Sequence, residues 1–161
     1  MSSPTVYRPM EPADAEAVSR LIVESFTEFI GPEYTHEGRA EFLRHVEPAA
    51  LVERMRSNHF LLVAMAAEQP VGVIDLRDND HVSLLFVDTR HQRHGVAREL
   101  LERALAIARP AKPGLERVTV NSSRFGVPAY ERLGFRQTGP ERTVNGIVFI
   151  PMAHRLEADR S

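Results

Sequence analysis

The chain has 161 residues, and 43% of them are hydrophobic, so it is long and apolar enough to fold as a single domain over residues 1–161. Its 20 basic residues nearly cancel its 22 acidic residues, a balance unlike that of a dedicated nucleic-acid-binding protein. The absence of cysteine excludes disulfides, thiolate metal sites and a cysteine nucleophile. The longest apolar run, residues 60–67, is too short to cross a bilayer, and no secretory signal is visible. We therefore expect a cytoplasmic protein that binds neither membrane nor nucleic acid.

The first half of the chain predicts helices and strands separated by clear turn signals. Apolar residues recur at helical spacing early in the chain and again after Thr35, where Pro48 divides the second helical stretch in two. Apolar runs bounded by turn residues predict the strands, and residues 68–70 form a predicted hairpin turn. The predicted elements are a strand over 5–8, helices over 14–29, from 35 to the break at 48, and over 49–56, and strands over 59–67, 71–77 and 81–87.

The second half continues in the same manner. A predicted helix over 95–108 is followed by Pro110 and Pro113, which are expected to end it. A strand over 115–120, a helix over 125–133 and strands over 135–138 and 147–154 complete the order. This alternation predicts a mixed α/β sheet flanked by helices.

Charge is distributed unevenly along the chain. Residues 1–80 carry 14 acidic residues against 7 arginines, whereas residues 81–161 carry 8 acidic residues against 13 basic ones. Chance and arginine-rich codon usage are one explanation. The other is a C-terminal half that binds a polyanion and an N-terminal half that faces a cationic molecule.

The most informative segment is residues 84–97, where an apolar strand leads through a polar, basic loop into a helix that begins around Gly95. A helix N-terminus attracts anions, and glycine lets the main chain approach a phosphate closely. The main-chain amides of Gln92, Arg93 and His94 are placed to surround a pyrophosphate. An ordinary basic loop is the alternative. Asp88, His91 and His94 could in principle bind a metal, but a solvated loop and helix start is favoured and no metal is expected.

Three segments carry a resemblance to a known family. Residues 92–97, Gln-Arg-His-Gly-Val-Ala, resemble the acetyl-CoA-binding motif Q/R-x-x-G-x-G/A of the GNAT N-acetyltransferase superfamily. Residues 118–123 resemble the fifth strand of that superfamily, and residues 129–135 resemble its A-x-Y-x-x-x-G-F helix end. Ala97 replaces the commoner glycine, and Asp88 stands where many members have proline. The resemblance implies a mixed, mostly antiparallel sheet of six to seven strands, flanked by about four helices and splayed between the fourth and fifth strands.

The resemblance also implies how acetyl-CoA, as the co-substrate, is bound. The main chains of Phe86 and Val87 are expected to hydrogen-bond the pantetheine amides. Asn121 is expected to add a side-chain contact, although a turn residue at a strand end is the alternative. The expected diphosphate loop consists of Gln92, Arg93, His94, Gly95, Val96, Ala97 and Arg98, with Arg124 as a further cationic contributor.

Acetyl transfer to a primary amine then requires an acid, a base and an oxyanion donor. Because the chain lacks cysteine, we expect direct attack in a ternary complex, with the Val87 N–H facing the thioester oxygen. Tyr130 is the expected acid, the alternative being a core tyrosine packed beside Phe135. His81 is the expected base, with Asp75 as second candidate, and a surface histidine is the alternative.

The resemblance implies that the acceptor binds beside the first helices and the last hairpin, a region in which acidic and aromatic residues accumulate. Acidic and aromatic groups suit a cationic small-molecule or peptide amine, although the glutamates are also typical of solvent-facing helix surfaces. The set comprises Glu24, Glu28, Glu33, Glu37 and Glu41 with Phe26, Phe29, Tyr34 and Phe42. A non-catalytic acetyl-CoA-binding or sensing module on the same fold is the alternative function, and the resemblance is compatible with a homodimer.

Overall fold

Eight strands form a mixed sheet in the computed structural model, which describes residues 4–92 and 94–157. They are β1 (Val6–Pro9), β2 (His59–Ala66), β3 (Gln69–Arg77), β4 (His81–Val87), β5 (Arg117–Ser122), β6 (Arg136–Gln137), β7 (Arg142–Val144) and β8 (Ile147–Arg155). The sheet order is β1-β2-β3-β4-β5-β8-β6, with β7 paired to β8 beside this path. Neighbours are antiparallel except β4 and β5, which run parallel.

Five α-helices cover the two faces of the sheet within the described ranges. They are α1 (Ala15–Phe29), α2 (His36–His45), α3 (Pro48–Met55), α4 (Val96–Ala111) and α5 (Val127–Arg132). Local sequence explains two of the starts: the Thr35 hydroxyl accepts a hydrogen bond from the Gly38 amide, and Pro48 occupies the first position of α3. None of these helices combines the length and apolar character needed to cross a lipid bilayer.

The core consists of two apolar clusters, one on each face of the sheet. Strand β2 contributes side chains to both clusters, because successive side chains of a strand point to opposite faces of the sheet. Leu61 and Val63 pack with α1 and α3, whereas Leu62 and Ala64 pack with α4. These four residues are at most 4% exposed. The continuous apolar run of β2 is therefore that of a central strand covered on both sides.

The parallel strands β4 and β5 separate soon after they meet. Their register contains two pairs, His81 with Thr119 and Val82 with Val120. The next residue, Ser83, is an extra residue in the pairing between β4 and β3. Such a bulge bends its strand and increases the local twist, so residues 84–87 of β4 diverge from β5. The splay expected between the fourth and fifth strands is thus present.

The predicted fold class is confirmed, with eight strands and five α-helices in the described residues instead of six to seven strands and about four helices. The strand β7 was missed because all three of its residues are exposed and show no apolar alternation. The dipeptide Asn145-Gly146 forms the turn between β7 and β8, and both of its residues have positive φ. This hairpin signal is the feature of the sequence from which β7 could have been predicted.

Two predicted boundaries were wrong. The turn between β2 and β3 lies at Ala67 and Glu68, both with positive φ, and not at 68–70. Helix α4 continues through Pro110 to Ala111. Pro110 removes the amide that would bond the carbonyl of Ala106, and because Ala106 is exposed, water can take that place.

Candidate functional site

A cleft of about 1050 Å³ opens where β4 and β5 separate, and it brings together most of the predicted site residues. We call its two parts the loop end, lined by Val87, Gln92 and residues 95–98, and the aromatic end, lined by Phe26, Phe29, Tyr34 and Phe42. Ten of the twelve predicted site residues line the cleft, namely His81, Phe86, Val87, Gln92, Gly95, Val96, Ala97, Arg98, Asn121 and Tyr130. His94 is exposed and is not part of this lining, and Arg93 lies outside the described residues.

The main chain of β4 presents an open edge at the loop end. The amide of Asp88 donates to the carbonyl of Val71 at 2.8 Å, so the main-chain groups of Asp88 and, two residues earlier, Phe86 face β3. The N–H and C=O groups of Val87 and Leu85 consequently face the gap left by β5. The main-chain groups at the open edge are therefore those of Val87 and Leu85, and sequence analysis did not predict Leu85. The main chain of Phe86, which was expected to bind pantetheine, faces β3, although Phe86 does line the cleft.

The connection from β4 to α4 is fixed by local hydrogen bonds. Asp88 accepts from the amide of Arg90 at 2.8 Å and thereby caps the short 3₁₀ turn Thr89–His91. Gln92 donates its side-chain amide to the carbonyl of Val87 at 3.1 Å. The glutamine of the motif thus connects the loop to the end of the strand.

Helix α4 begins with its N-terminus at the cleft. Gly95 precedes it with φ of 80°, a left-handed conformation that side chains rarely adopt, and nothing lies within 4 Å of the position of a Cβ atom there. The amides of the first helical turn have no partner within the helix, and together they create a partial positive charge. This end of the cleft is therefore suited to an anion.

Tyr130 lies on α5 at the wall of the cleft. Its ring contacts Phe135 edge-on, with centroids 5.3 Å apart, so the expected packing against Phe135 and a place at the cleft occur together. Burial raises the pKa of the Tyr130 phenol above its ordinary value of 10.0. The hydroxyl therefore remains protonated at neutral pH.

His81 lies half-buried at the start of β4 and lines the same cleft. Its Nδ1 is 2.7 Å from the hydroxyl oxygen of Thr119, which itself lies 3.4 Å from the carbonyl of Asp80. When that hydroxyl donates to Asp80, His81 carries its proton on Nδ1, and Nε2 is the basic nitrogen. Burial first, and then the charge of Arg77, lower the pKa of His81 below 6.5.

The second candidate base, Asp75, is fully buried and already paired. Its carboxylate accepts from Arg54 at 2.6 Å and contacts His59 Nδ1 at 2.8 Å. Asp75 is not part of the cleft lining, and both of its carboxylate oxygens are engaged by Arg54 and His59. Asp75 therefore acts as the buried centre of an ion cluster that joins α3 to β2 and β3.

The arginines expected near the cofactor are held by other groups. Arg98 donates to the carbonyl of Arg132 at 2.7 Å, and Arg124 forms a two-bond pair with Glu141. The first contact joins α4 to the last residue of α5, and the second joins the segment before α5 to the segment after β6. Arg124 would have to leave Glu141 before it could contact a phosphate.

The aromatic end is built as predicted, but most of the acidic residues lie elsewhere. Phe26 and Phe42 stack with centroids 4.1 Å apart, and Tyr34 meets Phe26 edge-on. Glu41 alone among the five glutamates lines the cleft in the described residues, and it pairs with Arg44 and His45. Arg54 and Arg77, which sequence analysis did not single out for this site, line the cleft.

Glu33 is engaged by the main chain on the other side of the cleft. Its carboxylate accepts from the amides of Arg124 at 2.8 Å and Phe125 at 3.0 Å. Phe29 of α1 also stacks on Phe125, with centroids 4.5 Å apart. Sequence analysis placed Glu33 in an acidic acceptor region, whereas here it joins two distant segments.

The His and acidic residues do not converge on a metal position. Within residues 4–92 and 94–157, no group of three or more His, Asp or Glu side chains is arranged to hold a metal ion. Asp88, His91 and His94 therefore do not form such a group in the structure.

Comparison with known proteins defines the class of the protein. The family model of the acetyltransferase (GNAT) domain matches residues 30–156, and the chain belongs to this family. A curated relative, the uncharacterized N-acetyltransferase YafP of Escherichia coli, is 25% identical over 135 residues, which cover 84% of this chain and 83% of that protein. The resemblance stated from sequence is confirmed.

Solved structures share the fold over nearly the whole chain. A GCN5-related N-acetyltransferase from Rhodopseudomonas palustris has a TM-score of 0.80 at 21% identity, covering 97% of this chain and 98% of that one. The PaiA N-acetyltransferase from Thermoplasma acidophilum, in complex with coenzyme A, has a TM-score of 0.78 at 18% identity, covering 95% and 99%. These likenesses establish the fold.

Proposed function

We propose that the protein transfers an acetyl group from acetyl-CoA to a primary amine by direct attack in a ternary complex. The observation that carries this proposal is the open main-chain edge of β4, which leads directly into the N-terminus of α4. A diphosphate at that helix start and an extended pantetheine arm along the edge make use of both features. The coenzyme A complex of the structurally similar PaiA protein supports this choice of ligand.

The open edge also supports a proposal for which main-chain groups of β4 contact acetyl-CoA. With the diphosphate at α4, the pantetheine arm extends from Val87 past Leu85 in the direction of His81. Its amides pair with β4 as an added strand would. The N–H of Val87 was the predicted donor to the thioester oxygen, but that of Leu85 is two residues nearer to His81. We therefore assign the oxyanion contact to Leu85 and the pantetheine contact to Val87.

The chemistry follows from these positions. The amine nitrogen attacks the thioester carbon, the carbon–oxygen bond becomes an oxyanion held by a main-chain N–H, and the carbon–sulfur bond then breaks. Tyr130 donates its proton to the departing thiolate. The amine proton passes to His81, and because His81 lies four residues (~13 Å of extended strand) from Leu85, this transfer needs an intervening water.

The raised pKa of Tyr130 and the lowered pKa of His81 give each residue the protonation state that its role requires at neutral pH. A phenol whose burial disfavours the phenolate is protonated at neutral pH and regains its proton readily. A histidine with a pKa below 6.5 is neutral at pH 7 and can accept a proton.

The test combines calorimetry with coenzyme A and a thiol-release assay with acetyl-CoA over a library of amines. Binding of coenzyme A together with thiol release that depends on an added amine supports the proposal. A cleft that binds no coenzyme A overturns it. Binding without release for every amine, with Tyr130→Phe unchanged in affinity, identifies a sensing module instead.

A further inference from the structure

A row of three basic side chains crosses the sheet beside the aromatic end. Arg77 pairs in register with His59 of β2 on one side and with His81 of β4 on the other. Residues directly opposite in antiparallel strands have their side chains on the same face of the sheet. His59, Arg77 and His81, which we call the basic row, therefore lie together on the face covered by α1 and α3.

The basic row is open to the cleft. Next to the cleft lies a depression of about 620 Å³, lined by His59, Arg77 and Arg54 among others. Four residues line both spaces, namely His45, Arg54, Arg77 and Ser83. The depression is thus continuous with the cleft, and Arg77 is exposed where the two meet.

The carboxylates around this depression already have cationic partners. Asp75 is shared between Arg54 and His59, and its side chain is fully buried. Glu53 contacts Arg56 at 3.5 Å, and Glu41 pairs with Arg44 and His45, as described above. Within the described residues, no carboxylate forms an ion pair with Arg77. The charge of this guanidinium is therefore available to a ligand.

From this arrangement we propose that Arg77, at the centre of the basic row, binds a carboxylate carried by the acceptor, so that the substrate is an amino acid or a closely related amine. A planar guanidinium presents two parallel donors that match a carboxylate, and His59 and His81 flank it. The inference rests on the proposed acetyl transfer, and it replaces the cationic acceptor expected from the glutamates. The aromatic end then contacts the apolar part of the molecule.

The experiment compares the common L-amino acids with their C-terminal amides as acceptors in the thiol-release assay. The amides keep the amine and the side chain but lack the carboxylate. We expect the wild-type protein to prefer one or more acids over the matching amides. In Arg77→Gln, kcat/KM for those acids should fall about ten- to hundred-fold relative to kcat/KM for the matching amides.

The ratio between acid and amide is the decisive measurement. Because the charge of Arg77 also lowers the pKa of His81, its removal changes the base for both acceptors equally and leaves the ratio unaffected. Arg56→Gln is the matched control, because Arg56 is exposed, pairs at 3.5 Å and lines neither space in the described residues. Equal use of acids and amides, or transfer to cationic amines alone, overturns the inference.

A binding measurement separates this inference from the proposed function. Calorimetry with the N-acetyl derivatives of the same amino acids requires no turnover. If wild type releases no thiol but binds one of these acids, and Arg77→Gln does not, the carboxylate subsite stands and the acetyl transfer falls. If wild type acetylates amines and no acid binds more tightly than its amide, the transfer stands and the subsite falls.

Discussion

The two ends of the cleft are built from different kinds of chemical groups. The loop end consists mainly of main-chain groups: the open edge of β4, the turn at Gly95 and the first amides of α4. The aromatic end and the basic row consist of side chains from α1, α2, β2, β3 and β4 and from Tyr34 between the first two helices. The residues whose main chain forms the loop end lie close together in sequence. The side chains of the aromatic end and the basic row come from elements that are far apart in sequence. The loop end can therefore persist through a family while the aromatic end and the basic row change.

The largest expected effect concerns Tyr130, which lies between these two ends. Tyr130→Phe removes the proton donor and should lower kcat about 10²- to 10⁴-fold, with coenzyme A affinity unchanged. Steady-state kinetics and calorimetry measure the two quantities. Tyr7→Phe is the control, because Tyr7 lies outside the cleft lining and contacts Arg103 through its ring face. Near-normal turnover of Tyr130→Phe would remove the tyrosine from the chemistry.

Next to the basic row, removing a buried charge should lower stability more than removing an exposed one. Arg54→Met leaves the buried carboxylate of Asp75 with His59 as its remaining cationic partner, and it should lower the free energy of unfolding by about 3 kcal/mol. Arg56→Met removes an exposed pair and should change it by less than about 0.5 kcal/mol. Urea denaturation measures both variants. Equal losses would mean that the buried pair contributes nothing beyond an exposed one.

The pH profile tests His81 as the base. Since the base must be unprotonated, kcat should be constant near pH 7 and should fall as the pH decreases through an apparent pKa below 6.5. His81→Gln should abolish this limb, and Arg77→Gln should move it upward, because a neighbouring positive charge is lost. Two acceptors with different amine pKa values separate the enzyme's limb from the acceptor's own ionisation. A limb that follows the acceptor would exclude His81.

The smallest effect is expected at the loop end and comes from Gly95. Gly95→Ala forces a side chain into φ of 80° without any clash, and it should cost about 1–2 kcal/mol of stability. Gly114 is a matched control, with φ of 85° and equally open space. Both variants should lose similar stability in urea denaturation, but Gly95→Ala alone should weaken coenzyme A binding in calorimetry. Equal coenzyme A affinity in both would separate the Gly95 turn from cofactor binding.

Sequence predicted the loop end almost residue by residue, because Gln92, Gly95 and the helix after them are consecutive. It did not predict that the Gln92 side chain donates to Val87, or that Leu85 shares the open edge. Both depend on which main-chain groups of β4 face β3 and which face the gap. At the other end, the aromatic residues were predicted from the acceptor position that the family resemblance implies. Arg77 was missed because its significance comes from register with His59 and His81.

The carboxylate of Glu33 has a consequence beyond local order. It holds the amides of Arg124 and Phe125, 91 and 92 residues further along the chain, while Phe29 stacks on Phe125. Helix α5 begins two residues later and carries Tyr130. Helix α5 is thus held from the acceptor side by Glu33 and Phe29 and from the loop end by the Arg98–Arg132 contact, so the proposed proton donor is positioned by both ends of the cleft.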